Sequence, residues 1–235
     1  MINIDTIIAV IPAAGQGKRM GSELNKQYLS LLGKPILAYT IEAFQQLELI
    51  SEVIVVVKEE ELAYCQQQVI DRYDLESKCS LVVGGATRQE SVYNGLQAVE
   101  QADYVLIHDG ARPLVKQETI KRSLQELKKH GAVGVAVPVK DTIKRVDEEN
   151  FVQDTPERDR LWAIQTPQAF EYSLALQAYR QAFKDEFLGT DTAMLVERLD
   201  KRVKLIKGSY ENLKVTTPED LSIAETIINR RQRCE

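Results

Sequence analysis

The fold is decided by the stretch Ile7-Ile8-Ala9-Val10-Ile11-Pro12-Ala13-Ala14-Gly15-Gln16-Gly17-Lys18-Arg19-Met20-Gly21. An apolar, β-branched run leads into a turn of small residues, which predicts a buried strand that ends in a glycine-rich loop. Small side chains let a polyphosphate reach backbone N–H groups, and Arg19 and Lys26 add positive charge. The stretch predicts a phosphate-binding loop, and the alternative is a tight strand-to-helix turn with solvated basic residues.

The spacing of the glycines excludes two common nucleotide sites. A dinucleotide-binding fingerprint needs G-x-G-x-x-G, and here Gly21 falls one residue late. A Walker P-loop ends in Gly-Lys-Ser/Thr, whereas Gly21 is followed by Ser22 and Glu23. Any phosphate site in this loop must therefore belong to another class.

Apolar runs alternate with amphipathic segments along the chain, which indicates βαβ units. The predicted strands are 6–11, 53–57, 81–83, 104–108 and 132–137. The predicted helices are 36–47, 89–99 and 117–130, with a further helix starting at Thr217-Pro218. Continuous hydrophobicity in the strands predicts a mostly parallel, twisted sheet with helices on both faces. The 235 residues suit a single Rossmann-like α/β domain that covers 1–235.

One segment departs from this alternation. Residues 142–146 and 151–152 flank the polar tetrad 147–150, which is typical of a β-hairpin. The segment 142–162 is too charged to fill a core position, so we expect an arm that projects from the sheet. Such an arm either contacts a partner or is a surface hairpin without one.

Composition limits the partners and the compartment. A net charge of −5 argues against nucleic-acid and anionic-membrane surfaces, and no stretch approaches the ~20 apolar residues of a membrane span. The cysteines and histidines lack the spacing of a disulfide framework or a zinc site. The start of the chain lacks a basic, signal-like region. We therefore expect a cytoplasmic protein with reduced thiols.

Polar residues follow several predicted strands, and in an open parallel sheet such residues converge on one crevice. Gly15 and Gly17 follow the first strand, Gly84-Gly85 the third, and Asp109 the fourth. Residues 138–142 follow the fifth. We expect all of them at one ligand site.

Asp109 is the acid in this group that suits magnesium. Mg²⁺ is typically held by one or two carboxylates together with substrate phosphates, which matches one acid opposite a cationic loop. The alternative is a structural Asp109 that pairs with Arg112. His108 is expected to be buried and hydrogen-bonded rather than a ligand or base.

The string IPAAGQGKRMGSELNKQY resembles the signature of nucleotidyltransferases that activate sugars and polyols, in particular the 2-C-methyl-D-erythritol 4-phosphate cytidylyltransferase family. Further matching strings are GGATRQESV at 84–92, HDGARP at 108–113, AVPVKDTIKR at 136–145, QTPQAF at 165–170, GTDTA at 189–193 and NLKVTTPEDL at 212–221. Together these motifs span almost the whole chain, which makes the resemblance far more specific than any single motif.

The resemblance implies transfer of CMP from CTP to 2-C-methyl-D-erythritol 4-phosphate, with release of pyrophosphate, in the non-mevalonate route to isoprenoid precursors. It implies Mg²⁺ or another divalent cation as cofactor, and a homodimer formed through the 142–162 arm. Two alternatives stay open: a ribitol 5-phosphate cytidylyltransferase, and a nucleotide-binding module without turnover. The presence of Arg19, Lys26, Asp109 and Lys214 argues against the second.

The resemblance also implies roles for individual residues. Those implied in catalysis are Arg19, Lys26 and Lys214. Those implied in nucleotide binding are Ala13, Ala14, Gly15, Gly17, Gly85, Ala86 and Ser91. Those implied in binding the acceptor are Asp109, Arg112, Thr142, Arg158, Thr166 and Thr190, with Asp109 also as the metal ligand. The chain departs from the family at Ala86, where members often carry Asp, and Asp191 has the alternative role of capping a helix.

Overall fold

The computed structural model describes residues 5–15 and 25–233. The strands are β1 (Ile7–Pro12), β2 (Ser30–Leu31), β3 (Lys34–Pro35), β4 (Glu52–Val57), β5 (Cys79–Val83), β6 (Tyr104–Ile107), β7 (Ala132–Pro138), β8 (Arg145–Val146), β9 (Val152–Asp154), β10 (Trp162–Glu171) and β11 (Lys204–Lys207). The helices are α1 (Ile36–Gln45), α2 (Leu62–Cys65), α3 (Arg88–Gln97), α4 (Gln117–His130), α5 (Tyr172–Lys184), α6 (Thr192–Glu197) and α7 (Pro218–Gln232). None of the helices in these two ranges has both the length and the apolar character that a membrane crossing requires.

The main sheet has seven strands in the order β11-β7-β10-β6-β1-β4-β5. All neighbouring pairs are parallel except those of β10, which runs antiparallel to both β6 and β7. Each strand predicted from an apolar run is present, and its bounds agree within two residues. The prediction of a mostly parallel α/β fold is therefore confirmed.

Both faces of the sheet are buried, because successive side chains of a strand point to opposite faces. Ile7, Ala9 and Ile11 of β1 pack with α1 and α4 on one face. Ile8 and Val10 pack with α3, α5 and α6 on the other face. Burial of one such aliphatic side chain contributes about 1.5–3 kcal/mol, so two apolar layers hold the central strands in place.

Polar side chains define where several helices begin. Thr87 and Glu90 form a reciprocal capping box at the start of α3, and Thr217 and Asp220 form another at α7. The second confirms the helix start predicted at Thr217-Pro218. The carboxylate of Asp191 accepts a backbone N–H at the start of α6, which confirms its capping role. The helix starts near the sheet edge are therefore fixed by local sequence.

The arm is the prolonged tip of a hairpin whose two legs are β7 and β10. Pairing of these legs runs out to Pro138 opposite Trp162, and β8 and β9 form the predicted two-stranded hairpin beyond them. The register of β10 shifts between Ile164 and Gln168, around Pro167. β10 escaped the sequence analysis because a proline inside a run argues against a central strand, and here a bulge accommodates it.

Candidate active site

A cleft of about 690 Å³ lies at the carboxyl ends of β1, β4, β5 and β6. Its lining brings together most of the turns that the sequence placed at this edge. The lining residues are Pro12, Ala13, Ala14, Gly15, Lys26, Gln27, Lys58, Glu59, Glu60, Val83, Gly84, Gly85, Ala86, Thr87, Arg88, Ser91, Asp109, Gly110, Ala111 and Lys214. Small residues form one wall of the cleft, and cationic side chains reach into it.

The small residues are required because two turns meet at this wall. The Ala13 N–H donates to the Val56 carbonyl at 2.7 Å, which holds the start of the first turn against β4. A Cβ on Gly84 would lie 2.9 Å from the Cβ of Ala14 and 2.8 Å from the Ser91 hydroxyl oxygen. Only glycine at 84 allows this approach, and the two backbones can therefore face one ligand together.

Hydrogen bonds of the Ser91 hydroxyl hold the turn after β5 in place. The Gly85 N–H donates to the Ser91 hydroxyl oxygen at 3.2 Å, and that hydroxyl donates to the Thr87 carbonyl at 2.9 Å. Ser91 therefore shapes the turn whether or not it also touches a base. Ala86 lies in the same turn at the cleft surface and offers no carboxylate.

Lys26 enters the cleft from a short 3-10 turn, Lys26–Tyr28. The Gln27 side-chain amide donates to the backbone carbonyl of Ala13. This bond ties the lysine-bearing turn directly to the first glycine-rich turn. Gly17 and Arg19, both predicted to act at this site, lie outside the described residues.

Asp109 lies just past the end of β6 among three cations. Its Oδ1 accepts two hydrogen bonds from the Arg88 guanidinium, at 3.1 and 3.2 Å. Its Oδ2 lies 2.9 Å from the Lys214 ammonium and 3.6 Å from Nε of Arg112. Arg112, the partner in the alternative structural interpretation of Asp109, makes the longest of the three contacts, so Arg88 and Lys214 are the main partners.

These charges control the ionisation of Asp109. Burial alone would raise the pKa of this carboxyl, but Arg88, Lys214 and Arg112 outweigh burial and hold its pKa well below the usual range. The carboxylate is therefore ionised throughout the neutral range. It fixes the Lys214 ammonium at the cleft and leaves the local cluster with net positive charge, which suits an anionic ligand.

A hydrogen-bonded chain behind Asp109 holds its backbone in place. The Asp109 N–H donates to the Thr166 hydroxyl at 3.1 Å, and that hydroxyl lies 3.0 Å from Nδ1 of His108. Nε2 of His108 lies 3.1 Å from the Arg112 carbonyl, which requires the proton on Nε2. Burial lowers the pKa of His108 to about 4, so the ring is neutral. The prediction of a buried, hydrogen-bonded histidine is confirmed.

The other predicted acceptor residues lie apart from this cleft. Thr166 is buried beneath Asp109, Thr190 is exposed before α6, and Thr142 and Arg158 are exposed on the arm. Arg112 turns its guanidinium to the Asn212 carbonyl, at 2.7 Å. None of these residues lines the cleft in a single chain.

The expectation that residues 138–142 join the same crevice is wrong for a single chain. β10 lies between β7 and β6 in the sheet, so the end of β7 is displaced sideways from the cleft. Lys58, which follows β4, also lines the cleft and was not among the predicted site residues. The rule used for the other strand ends, applied to the residue after Val57, would have found it.

The donor set around Asp109 can supply one carboxylate ligand to Mg²⁺. Within the described ranges no group of three or more acidic, histidine or cysteine side chains could hold a metal by itself. Asp109 can offer one remaining lone pair on Oδ2, beside Lys214, and Mg²⁺ commonly takes one carboxylate with its other ligands from phosphates and water. The residues present fit a metal that arrives with a triphosphate.

The α/β fold, the two small-residue turns and the cations at the carboxyl edge define the class of α/β nucleotidyltransferases. The family described as 2-C-methyl-D-erythritol 4-phosphate cytidylyltransferase matches residues 7–230. A protein of that name from Caldanaerobacter subterraneus subsp. tengcongensis is 50% identical over 225 residues, which cover 95% of this chain and 99% of that protein. The chain therefore belongs to the 2-C-methyl-D-erythritol 4-phosphate cytidylyltransferase family.

Solved structures agree with this assignment. The 4-diphosphocytidyl-2C-methyl-D-erythritol synthase of Anaerococcus prevotii is similar with a TM-score of 0.86 and 34% identity, covering 97% of this chain and 98% of that one. The 2-C-methyl-D-erythritol 4-phosphate cytidylyltransferase of Thermus thermophilus gives a TM-score of 0.79 at 30% identity, covering 96% and 98%. The similarity in both cases extends over the full domain.

Proposed function

We propose that this protein transfers CMP from CTP to 2-C-methyl-D-erythritol 4-phosphate and releases pyrophosphate. The observation that carries the proposal is the cleft itself, where Lys26 and the Asp109–Lys214 pair face two backbone turns in a chain of this family. The product would feed the non-mevalonate route to isoprenoid precursors. The two other readings, a ribitol phosphate acceptor and a module without turnover, are not favoured by the comparisons.

The reaction needs no nucleophile from the protein. A phosphate monoester is already an anion near neutral pH, and its oxygen forms the new bond to the α-phosphorus of CTP. The bond from that phosphorus to the bridging oxygen of the β-phosphate breaks, and pyrophosphate leaves with the electron pair. The work of the enzyme is to align the two substrates and to stabilise the spreading negative charge.

We assign that stabilisation to Lys26 and Lys214, with Arg19 of the glycine-rich loop as a third cation. The ammonium of Lys214 is held by Asp109 at 2.9 Å, so its position is set before the substrate binds. A preorganised charge needs little rearrangement in the transition state. Ala14 and Gly15 would present backbone N–H groups to the triphosphate, as proposed for Gly17 in the same loop. The backbone groups of Ala13 are bonded to Val56 and Gln27, so Ala13 would contact the nucleotide by packing at the cleft wall.

The turn after β5 is the proposed cytosine site. Gly85, Ala86 and Ser91 lie together at the cleft wall, and Ser91 holds the backbone of this turn in one conformation. Because Ala86 has no polar side-chain atom, recognition of the base here falls to main-chain groups and to the Ser91 hydroxyl.

Mg²⁺ is the proposed cofactor, and another divalent cation of similar preference could replace it. Asp109 would hold the ion through Oδ2. When bound, the ion would neutralise phosphate charge during the transfer.

We propose that the arm forms a homodimer and carries acceptor-binding residues to the cleft of the partner. Apolar side chains on the arm and the adjoining strand are strongly exposed in the single chain: Ile143, Val146, Phe151, Val152, Trp162 and Ile164. Several exposed apolar side chains on one projecting segment are typical of an interaction site. Thr142 and Arg158 lie on the same arm, and they would complete the acceptor site of a second copy together with Asp109, Arg112, Thr166 and Thr190.

A cytoplasmic location is proposed from the sequence, because its cysteines lack the spacing of a disulfide framework.

The test is pyrophosphate release by the purified protein with CTP, Mg²⁺ and either acceptor. We expect release with 2-C-methyl-D-erythritol 4-phosphate and at most a trace with ribitol 5-phosphate. Preference for ribitol 5-phosphate would replace the proposed acceptor. Nucleotide binding without release for either acceptor would support a module without turnover.

A further inference from the structure

The turn that carries Lys26 has little regular structure of its own. It is a single 3-10 turn of three residues, and no side chain caps it. Such a turn contributes few backbone hydrogen bonds, so contacts with the rest of the protein must fix its position. A lysine that acts on a transition state needs that position to be well defined.

Glu61 supplies these contacts from a different part of the chain. It ends a 3-10 turn, Glu59–Glu61, that follows β4, and its side chain is buried. Its Oε2 accepts from the Tyr28 hydroxyl at 3.1 Å and from the Gln27 amide at 3.3 Å, and its Oε1 accepts from the Asn25 amide. The three donors flank Lys26 on both sides in sequence.

The same network continues to the phosphate loop. Gln27 shares its amide group between Glu61 and the carbonyl of Ala13, where the first glycine-rich turn begins. Displacement of Glu61 would therefore move the lysine-bearing turn relative to Ala13. The network therefore fixes the position of the Lys26 turn relative to the first glycine-rich turn, and the proposed reaction depends on that position.

Stability alone does not account for a carboxylate at this position. Burial raises the pKa of Glu61, which reflects the cost of removing its charge from water. Lys58 lies 4.0 Å away, at the limit of an ion pair, and Glu60 adds a like charge beside it. A buried apolar side chain of similar size is often no less stabilising than a buried charge. The specific gain from a carboxylate is that it accepts several hydrogen bonds at once.

We propose that Glu61 is a positioning residue that acts on the transfer reaction through Lys26, by holding Asn25, Gln27 and Tyr28 in one arrangement. It touches no substrate in this role. The inference rests on the proposed function, because it requires that Lys26 stabilise the transition state.

The test is a double-mutant cycle between Glu61→Leu and Lys26→Ala. With Lys26 present, Glu61→Leu should lower kcat about 10- to 100-fold, the effect of a misplaced catalytic group, with KM for CTP changed less than about 3-fold. In the Lys26→Ala background the same substitution should cost less than about 2-fold, since the residue it positions is gone. Glu61→Gln keeps an oxygen that can accept from Tyr28 and Gln27, but its NH2 group faces the Asn25 amide, so it should recover only part of the loss.

Two further variants distinguish a loss of positioning from a folding defect. Asn25→Ala removes one of the three donors from a partly exposed position and should show the same non-additivity with Lys26→Ala. Glu76→Ala removes an exposed carboxylate just before the amino end of β5, whereas the cleft lies at the carboxyl ends of the strands; it is the matched control and should leave kcat unchanged. Thermal unfolding of every variant fixes the folded fraction.

Different results would contradict the positioning role of Glu61 and the proposed function. Losses from Glu61→Leu and Asn25→Ala that multiply fully with the Lys26→Ala loss would overturn the positioning role. An intact protein that releases no pyrophosphate with either acceptor would overturn the proposed function instead.

Discussion

Replacement of Asp109 by asparagine is expected to destabilise the protein as well as to impair it. Asp109→Asn keeps the size of the side chain but removes the charge that faces Arg88, Lys214 and Arg112. Breaking a buried pair from one side costs about 3–5 kcal/mol, because the remaining charge is left uncompensated. The side chains of Arg88 and Lys214 are 30% and 38% exposed, so solvent reduces the cost, and we expect about 2–4 kcal/mol.

The expected loss of unfolding free energy can be measured as a decrease in melting temperature. For a chain of this size 1 kcal/mol corresponds to about 2–4 °C, so Asp109→Asn should melt about 4–16 °C lower. The measurement is thermal unfolding without nucleotide or metal at neutral pH. Asp200→Asn is the matched control, since Asp200 is exposed and asparagine accepts its positive φ equally well.

The stabilisation by Asp109 should also change with pH in one direction only. Because the pKa of Asp109 is depressed in the folded protein, its contribution to stability is present above the unfolded value of about 4 and is lost as the pH falls through the folded value. The difference in unfolding free energy between wild type and Asp109→Asn should therefore be constant from neutral pH down to about 5 and shrink in stronger acid. A variant that melts with wild type, yet needs far more Mg²⁺, would refute the structural role and leave Asp109 as a metal ligand alone.

Three further expectations follow from the site, the arm and a helix cap. Lys26→Ala should lower kcat by roughly 10² or more while the protein stays folded, and a near-normal kcat would remove this lysine from the catalytic set. Replacement of residues 147–156 by a short glycine turn should give a folded monomer with poor acceptor affinity, and a fully active intact monomer in sedimentation would contradict that. Thr217→Ala should lower the unfolding free energy by about 1 kcal/mol through loss of the α7 cap, with kcat unchanged, and no change in stability would show that the capping box contributes nothing.

Much of the fold could be predicted because local patterns and tertiary structure agree. The central strands are apolar on both faces, and α3, α6 and α7 start at capping residues that the sequence displays. β10 could not be predicted in the same way, since Pro167 argues against a strand and the compensating bulge depends on pairing with β7. The irregular helical segment around α2 has no comparably clear signal.

The candidate site was predicted only in part, because some of its residues follow from strand topology and others depend on the whole fold. Strand-end residues such as Gly84, Gly85 and Asp109 follow from topology, and the structure brings them together. Of the three partners of Asp109 only Arg112 was named from the sequence, because Arg88 and Lys214 are distant in sequence and their meeting with Asp109 depends on the whole sheet. Glu61 gave no signal, since it lies in an acidic run that resembles a solvated surface.

The antiparallel course of β10 has a consequence for how this architecture can vary. The arm leaves the sheet along β7 and returns along β10, and both legs are held by pairing inside the main sheet. Insertions or deletions at the tip change how far the arm reaches but leave the strand ends around Asp109 unaltered. The reach of the arm and the cleft at the strand ends are thus encoded by separate parts of the chain. In the proposed homodimer, changes at the arm tip would alter acceptor binding while the phosphate-binding cleft stays the same.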